Sequence, residues 1–146
     1  MPAFEVEPGD ALDLVRLGGR VVDLEPADAW AKATADTARS FPAGYATPGQ
    51  LVFRLMAAGQ PVGWLWLAVP GPDRDPLMAW VYNIEVDRAY RGRGYGRAAM
   101  ILAEGEARSR GMTSLGLNVH GHNTVARSLY DSLGYDVTAL QMRKPL

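Results

Sequence analysis

The chain has 146 residues, 48% of them apolar, with 15 basic and 16 acidic residues and no cysteine. That length holds one domain with a real core and is short for two. The near-neutral balance argues against the basic footprint of broad nucleic-acid binding, and the lack of cysteine excludes disulfide scaffolds, thiolate metal sites and cysteine nucleophiles.

The first ten residues are acidic and carry Pro2 and Pro8, unlike a signal peptide. A short first strand is expected at 4–7 and a short helix at 10–17, closed by Gly18-Gly19. Glu25-Pro26 starts a second helix, in which Trp30, Ala33, Thr34, Thr37 and Ala38 recur at helical spacing. Phe41-Pro42 ends it, and 44–49 reads as a loop.

The period then changes. Segments 51–56 and 61–69 are rich in β-branched and aromatic residues and flank Ala57-Ala58-Gly59-Gln60, a hairpin signal. The second strand is apolar on both faces, Trp64 and Trp66 on one and Leu65 and Leu67 on the other, so it belongs inside the sheet. A polar loop at 70–76 leads to a third long strand at 77–86. The apolar stretches at 62–69 and 77–81 are too short to span a bilayer, and a cytoplasmic protein that binds neither membrane nor nucleic acid is expected.

A turn rich in glycine and arginine follows, then a helix over 94–110 with Tyr95, Ala98, Ala99 and Leu102 as its stripe and Gly111 as its cap. Residues 114–119 form a strand with Leu115, Leu117 and Val119 on one face. A last helix covers 124–133 and stops at Gly134, and 135–140 and 141–144 read as one or two closing strands. The expected fold is α/β (α+β): a mixed sheet of about six or seven strands flanked by helices in a single domain over 1–146.

The densest segment is Arg91-Gly92-Arg93-Gly94-Tyr95-Gly96-Arg97, between a strand and a helix. Glycines let the backbone turn tightly and let a ligand approach the amides. The helix start offers free N–H groups and the positive end of its dipole, which suits a phosphate. Thirteen of the fifteen basic residues are arginine, so a tight surface turn that happens to hold arginine explains the segment taken alone. The dinucleotide fingerprint and the ATP P-loop both fail to fit.

The spacing Val86-x4-Arg91-x2-Gly94-x-Gly96 resembles the coenzyme A pyrophosphate motif of the GNAT superfamily of N-acetyltransferases. Leu117-Asn118-Val119 followed by Asn123, Ala126, Leu129-Tyr130 and Gly134-Tyr135 is similar to that family's second signature. The resemblance covers residues 51–141 well, as an acyl-CoA-binding core, and 1–50 loosely, as the acceptor side. It implies that Arg91, Gly92, Arg93, Gly94, Tyr95, Gly96 and Arg97 hold the pyrophosphate and that Glu85 and Val86 pair with the pantetheine arm. It also implies that Asn123 contacts the pantetheine arm or the loop holding it, that Ala126 belongs to the cofactor site and that the Tyr130 hydroxyl sits near the thioester sulfur. Asn123 and Tyr130 are seven residues apart, two helical turns, and fall on one face. Asn123 as a plain helix cap and Tyr130 as a core aromatic are the alternatives.

The activity so implied is transfer of an acetyl group from acetyl-CoA to an amine, directly and through a tetrahedral intermediate. The acceptor is an amine-bearing small molecule or a protein N-terminus or lysine, and a homodimer is left open. Tyr130 is the expected acid and Glu85 the first candidate base, with a solvated carboxylate or a partner for a loop arginine as the other reading of Glu85. Two positions that often carry the family's carboxylate hold Trp80 and Asn118 here. His120 and His122 precede the last helix and belong to the residue type that titrates near neutrality, with a structural role near the motif as the other reading. No metal site is expected, because two histidines with no nearby acidic pair do not make one. A non-catalytic acyl-CoA sensor on the same fold is the rival reading.

Overall fold

The computed structural model describes residues 12–16 and 47–146. Five strands form one sheet in the order β1-β2-β3-β4-β5: β1 (Leu12–Arg16), β2 (Gln50–Ala57), β3 (Gln60–Ala68), β4 (Met78–Val86) and β5 (Ser114–Leu117). The first four run antiparallel to their neighbours, and β5 runs parallel to β4. Helix α1 (Tyr95–Ser109) makes the crossover between the parallel pair, and α2 (Thr124–Ser132) follows β5. A parallel neighbour needs such a crossover, which is why the glycine turn and the Asn123 motif both arrive at the same end of the sheet.

Local chemistry explains most of the boundaries. Ala58 and Gly59 adopt φ 47° and 77°, the two left-handed positions of a two-residue hairpin turn. After α1, Gly111 at φ 81° lets the Met112 amide reach back to the Ala107 carbonyl at 3.0 Å. Gly134 at φ 91° does the same work after α2.

The core lies between one face of the sheet and α1. Leu51, Phe53, Leu55, Leu65, Leu67, Ala79 and Val81 pack against Tyr95, Ala99, Met100, Ala103 and Ala107. Each of the fully buried leucines contributes about 1.5–3 kcal/mol by leaving water. The buried stripe of α1 is turned slightly from the one read in the sequence: Ala98 and Leu102 are only partly buried, while Met100, Ala103 and Ala107 are inside. Ala99, Ala103 and Ala107 recur every four residues and present small side chains to the strands.

Three expectations are corrected. Residues 12–16, expected within a short helix, form β1, paired along its whole length from Leu12↔Ala57 to Arg16↔Phe53. A helix that short satisfies few of its own amides, whereas an adjacent strand satisfies a full ladder. Five strands of the sheet lie among the described residues. Residues 135–146 form none, and Val137, Leu140 and Met142 on them are exposed, because a strand exists only where a neighbouring backbone receives it. β5 stops at Leu117, two residues earlier than expected. The expected strand at 4–7 and helix beginning at Glu25 lie outside the described residues.

Candidate functional site

The last pair between β4 and β5 is Val81↔Leu117. Beyond it β4 runs on to Val86 and stays paired with β3 as far as Gly63↔Val86, while β5 leaves the sheet. The two strands therefore part at their C-terminal ends. A cavity of about 310 Å³ fills the gap, walled by Val81, Tyr82, Asn83 and Ile84 from β4. Leu117 to His120 form the opposite wall, and Asn123, Ala126 and Tyr130 of the α2 region close it.

A bulge aims the β4 wall. Trp66 pairs with Asn83 and Leu67 with Val81, so Tyr82 has no partner on β3. Its ring rests on Trp66 with centroids 4.7 Å apart, and the Trp66 indole donates to Gln50 Oε1 at 2.6 Å. Tyr82, Asn83 and Ile84 thus stand along the strand edge that β5 has vacated.

The glycine turn lies at the start of α1. Gly92 and Gly94 adopt φ 76° and 87°, and a Cβ on either would meet nothing within 4 Å. Gly94 is the N-cap and supplies no side-chain cap, and a Cβ added there would meet open space. The arginines are used differently from one another. Arg91 donates from Nε to the Val86 carbonyl at 2.9 Å and lies 3.8 Å from the Glu85 carboxylate. Arg97 donates to Ser132 Oγ at 2.5 Å, tying α1 to α2, and Gly96 packs on the same helix, where an added Cβ would sit 3.4 Å from Leu129. Arg93 lies over the Tyr90 ring at 5.9 Å. Arg91 and Arg97 therefore shape the turn.

On α2, Asn123 accepts from the Ala126 amide at 3.1 Å, so it caps the helix and lines the cavity together. Tyr130 packs edge-on to Tyr135 with centroids 6.0 Å apart, and burial raises its phenol above the ordinary tyrosine range. Burial first, and then the Glu104 carboxylate, push the Tyr135 phenol up as well. Both hydroxyls hold their protons at neutral pH.

Of the residues expected at the site, Asn123, Ala126 and Tyr130 come together around the cavity, while Glu85 and Val86 stand beyond its rim. Asn118 lines it, and Trp80 instead covers Gly116 on β5, where a Cβ would lie 2.5 Å from its ring. Sequence reasoning missed Tyr82, Asn83 and Ile84. Only the register, which shows where the β4–β5 ladder stops, marks them. Among the described residues no group of acidic residues and histidines is arranged to hold a metal ion, and no helix is long and apolar enough to cross a membrane.

A model described as the acetyltransferase (GNAT) family matches residues 22–135. An uncharacterized N-acetyltransferase of Bacillus subtilis, YycN, is 38% identical over 85 residues, 58% of this chain and 54% of that protein. A mycothiol acetyltransferase of Rhodococcus erythropolis is 31% identical over 134 residues, 88% of this chain and 44% of that protein. The chain thus spans about half the length of these curated relatives. The crystal structure of YycN superimposes with a TM-score of 0.66 at 30% identity, covering 86% of this chain and 80% of that one. An aminoglycoside N-acetyltransferase in complex with CoA shares the fold, with a TM-score of 0.69 at 17% identity over 97% of this chain and 99% of that one.

Proposed function

The chain belongs to the acetyltransferase (GNAT) family, and from that premise we infer that it moves an acetyl group from acetyl-CoA to a primary amine by direct transfer. The observation that carries this reading is the parting of β4 and β5 beside an uncapped helix start, with Tyr130 on the wall of the gap. Acetyl-CoA supplies the activated acyl group as a thioester. Its pyrophosphate fits the open backbone face at Gly92 and Gly94 and the dipole of α1. Its pantetheine arm fits the vacated edge of β4, whose backbone N–H and C=O groups stand ready for a strand-like partner. Residues 51–141 form the donor half in this reading, and 1–50 complete the acceptor side.

The chemistry follows from the groups on the cavity wall. The amine nitrogen attacks the thioester carbonyl and a tetrahedral intermediate forms. Its collapse breaks the C–S bond, and the departing sulfur takes the proton of the Tyr130 hydroxyl. Thiols of this kind ionise near pH 8.5, so a donor at the sulfur eases expulsion near neutrality. A phenol held protonated by burial is suited to that task.

The acceptor is an amine on a small molecule or at a protein N-terminus, in a protein we place in the cytoplasm. Relatives named for the alanine of a ribosomal protein and for mycothiol support both classes. The test is acetyl-CoA with a panel of acceptors: a peptide with N-terminal alanine, an aminoglycoside and a small aminosugar. Thiol release is followed together with the mass of the acceptor. Acetylation of one class, with CoA bound far more tightly than pantetheine, is expected. CoA binding with no transfer to any acceptor would identify a sensor instead.

A further inference from the structure

The proton that the amine must lose needs a destination, and the cavity wall offers one other than Glu85. Among the described residues that line it, no carboxylate is present, and three carry a titratable proton: Tyr82, His120 and Tyr130. Only imidazole, of these types, ordinarily changes charge between about pH 5 and 8. Glu85 lies outside the wall, with its carboxylate 3.8 Å from the Arg91 guanidinium.

His120 is also held in place. The Asn123 amide donates to the His120 carbonyl at 2.9 Å, and the Thr124 amide to the His122 carbonyl at 3.0 Å. The Arg127 guanidinium spans the same turn by donating to the Gly121 carbonyl at 3.1 Å. The His120 ring stacks on His122, centroids 5.5 Å apart and 16° from parallel. Among the described residues, the ionisable groups around it are His122 on its own turn, Arg127 and Tyr130 on α2, and Tyr82 on β4.

We propose that His120 is the catalytic base, taking the proton of the attacking amine while Tyr130 gives one to the departing sulfur. This inference rests on the acetyl-transfer reading above. As the N–C bond forms, nitrogen gains positive charge and yields a proton to the neutral imidazole. As the C–S bond breaks, sulfur takes the Tyr130 proton. The products are amide and free thiol, with an imidazolium and a phenolate left on one cavity wall. A proton passed between them through water restores the resting state, so no further reactant is needed.

The test uses the full chain, acetyl-CoA and the acceptor panel. H120Q keeps a polar side chain but no base, and should lower kcat/KM at neutral pH by about 100-fold or more. The ratio of wild-type to H120Q kcat/KM cancels the acceptor's own ionisation. It should fall as the pH is lowered, because a protonated His120 accepts nothing. H122Q and E85Q should keep that acidic limb. CoA affinity and thermal midpoint of H120Q should match wild type. By NMR, the His120 ring resonance should move on CoA binding more than that of His122.

An active wild type with an H120Q rate within threefold, or a flat ratio, overturns the assignment of His120 alone. Loss of the limb in E85Q moves the base to Glu85. A wild type that binds CoA and acetylates nothing in the panel overturns both readings. If H120Q melts early, H120N and the ring resonance decide: a His120 signal indifferent to CoA overturns the proposal.

Discussion

Replacing Gly94 with alanine separates a turn shaped for a ligand from one that is only tight. Gly94 caps α1 at φ 87° and ψ 6°. That left-handed conformation costs an L-residue about 1–2 kcal/mol. A Cβ there meets nothing within 4 Å, so the cost is conformational and includes no clash. In the free chain the exposed turn relieves the strain by rotating out of the left-handed region. Stability then falls by less than about 1 kcal/mol, a Tm change below about 4 °C for a chain of this size. Binding the pyrophosphate must restore the original turn. The same 1–2 kcal/mol then reappears as a Kd for CoA about 5 to 30 times weaker. Calorimetric titration with CoA and a thermal scan of the free protein read the two effects separately. An unchanged Kd would show that the amides of this turn do not hold the ligand in the conformation seen.

The Tyr130→Phe variant keeps the ring against Tyr135 and removes the hydroxyl. The single-turnover rate should fall by about 100-fold or more with CoA affinity unchanged, and an unaltered rate would remove Tyr130 from the chemistry. Gly105 lies within α1 with open space around it, so Gly105→Ala should stabilise the protein by about 0.5–1 kcal/mol in urea unfolding and leave activity untouched. The raised phenols of Tyr130 and Tyr135 make a further prediction for alkaline pH. Their folded values lie above the unfolded value of about 10. Their contribution is therefore complete below pH 10 and is lost as the pH rises past it. Urea midpoints should drop above that pH, and less steeply in Tyr135→Phe; equal slopes would contradict the burial of that hydroxyl.

Several features of the fold are decided within a few residues of chain, and these the sequence by itself determined. Ala58-Gly59 had to turn, Gly111 and Gly134 had to end their helices, and Asn123 had to cap α2, because each outcome depends on backbone conformations and hydrogen bonds reached locally. The alternation of Trp64 and Trp66 with Leu65 and Leu67 likewise marked β3 as an inner strand, since a strand with two apolar faces must be covered on both. The two spaced motifs identified the family for the same reason: they are read along the chain.

What only the tertiary structure decided involves partners distant in sequence. Residues 12–16 are a strand because β2 receives them. Residues 135–144, read as one or two closing strands, pair with no strand among the described residues. The bulge at Tyr82 and the end of the β4–β5 ladder at Val81↔Leu117 are properties of register, which no single strand encodes. Those two features open the cavity, place Tyr82, Asn83 and His120 on its wall, and leave Glu85 outside beside Arg91. The arginines show the same division. Their number and spacing are legible in the chain, but Arg97 reaches Ser132 only because α1 and α2 meet, and it is that meeting that gives it a structural role.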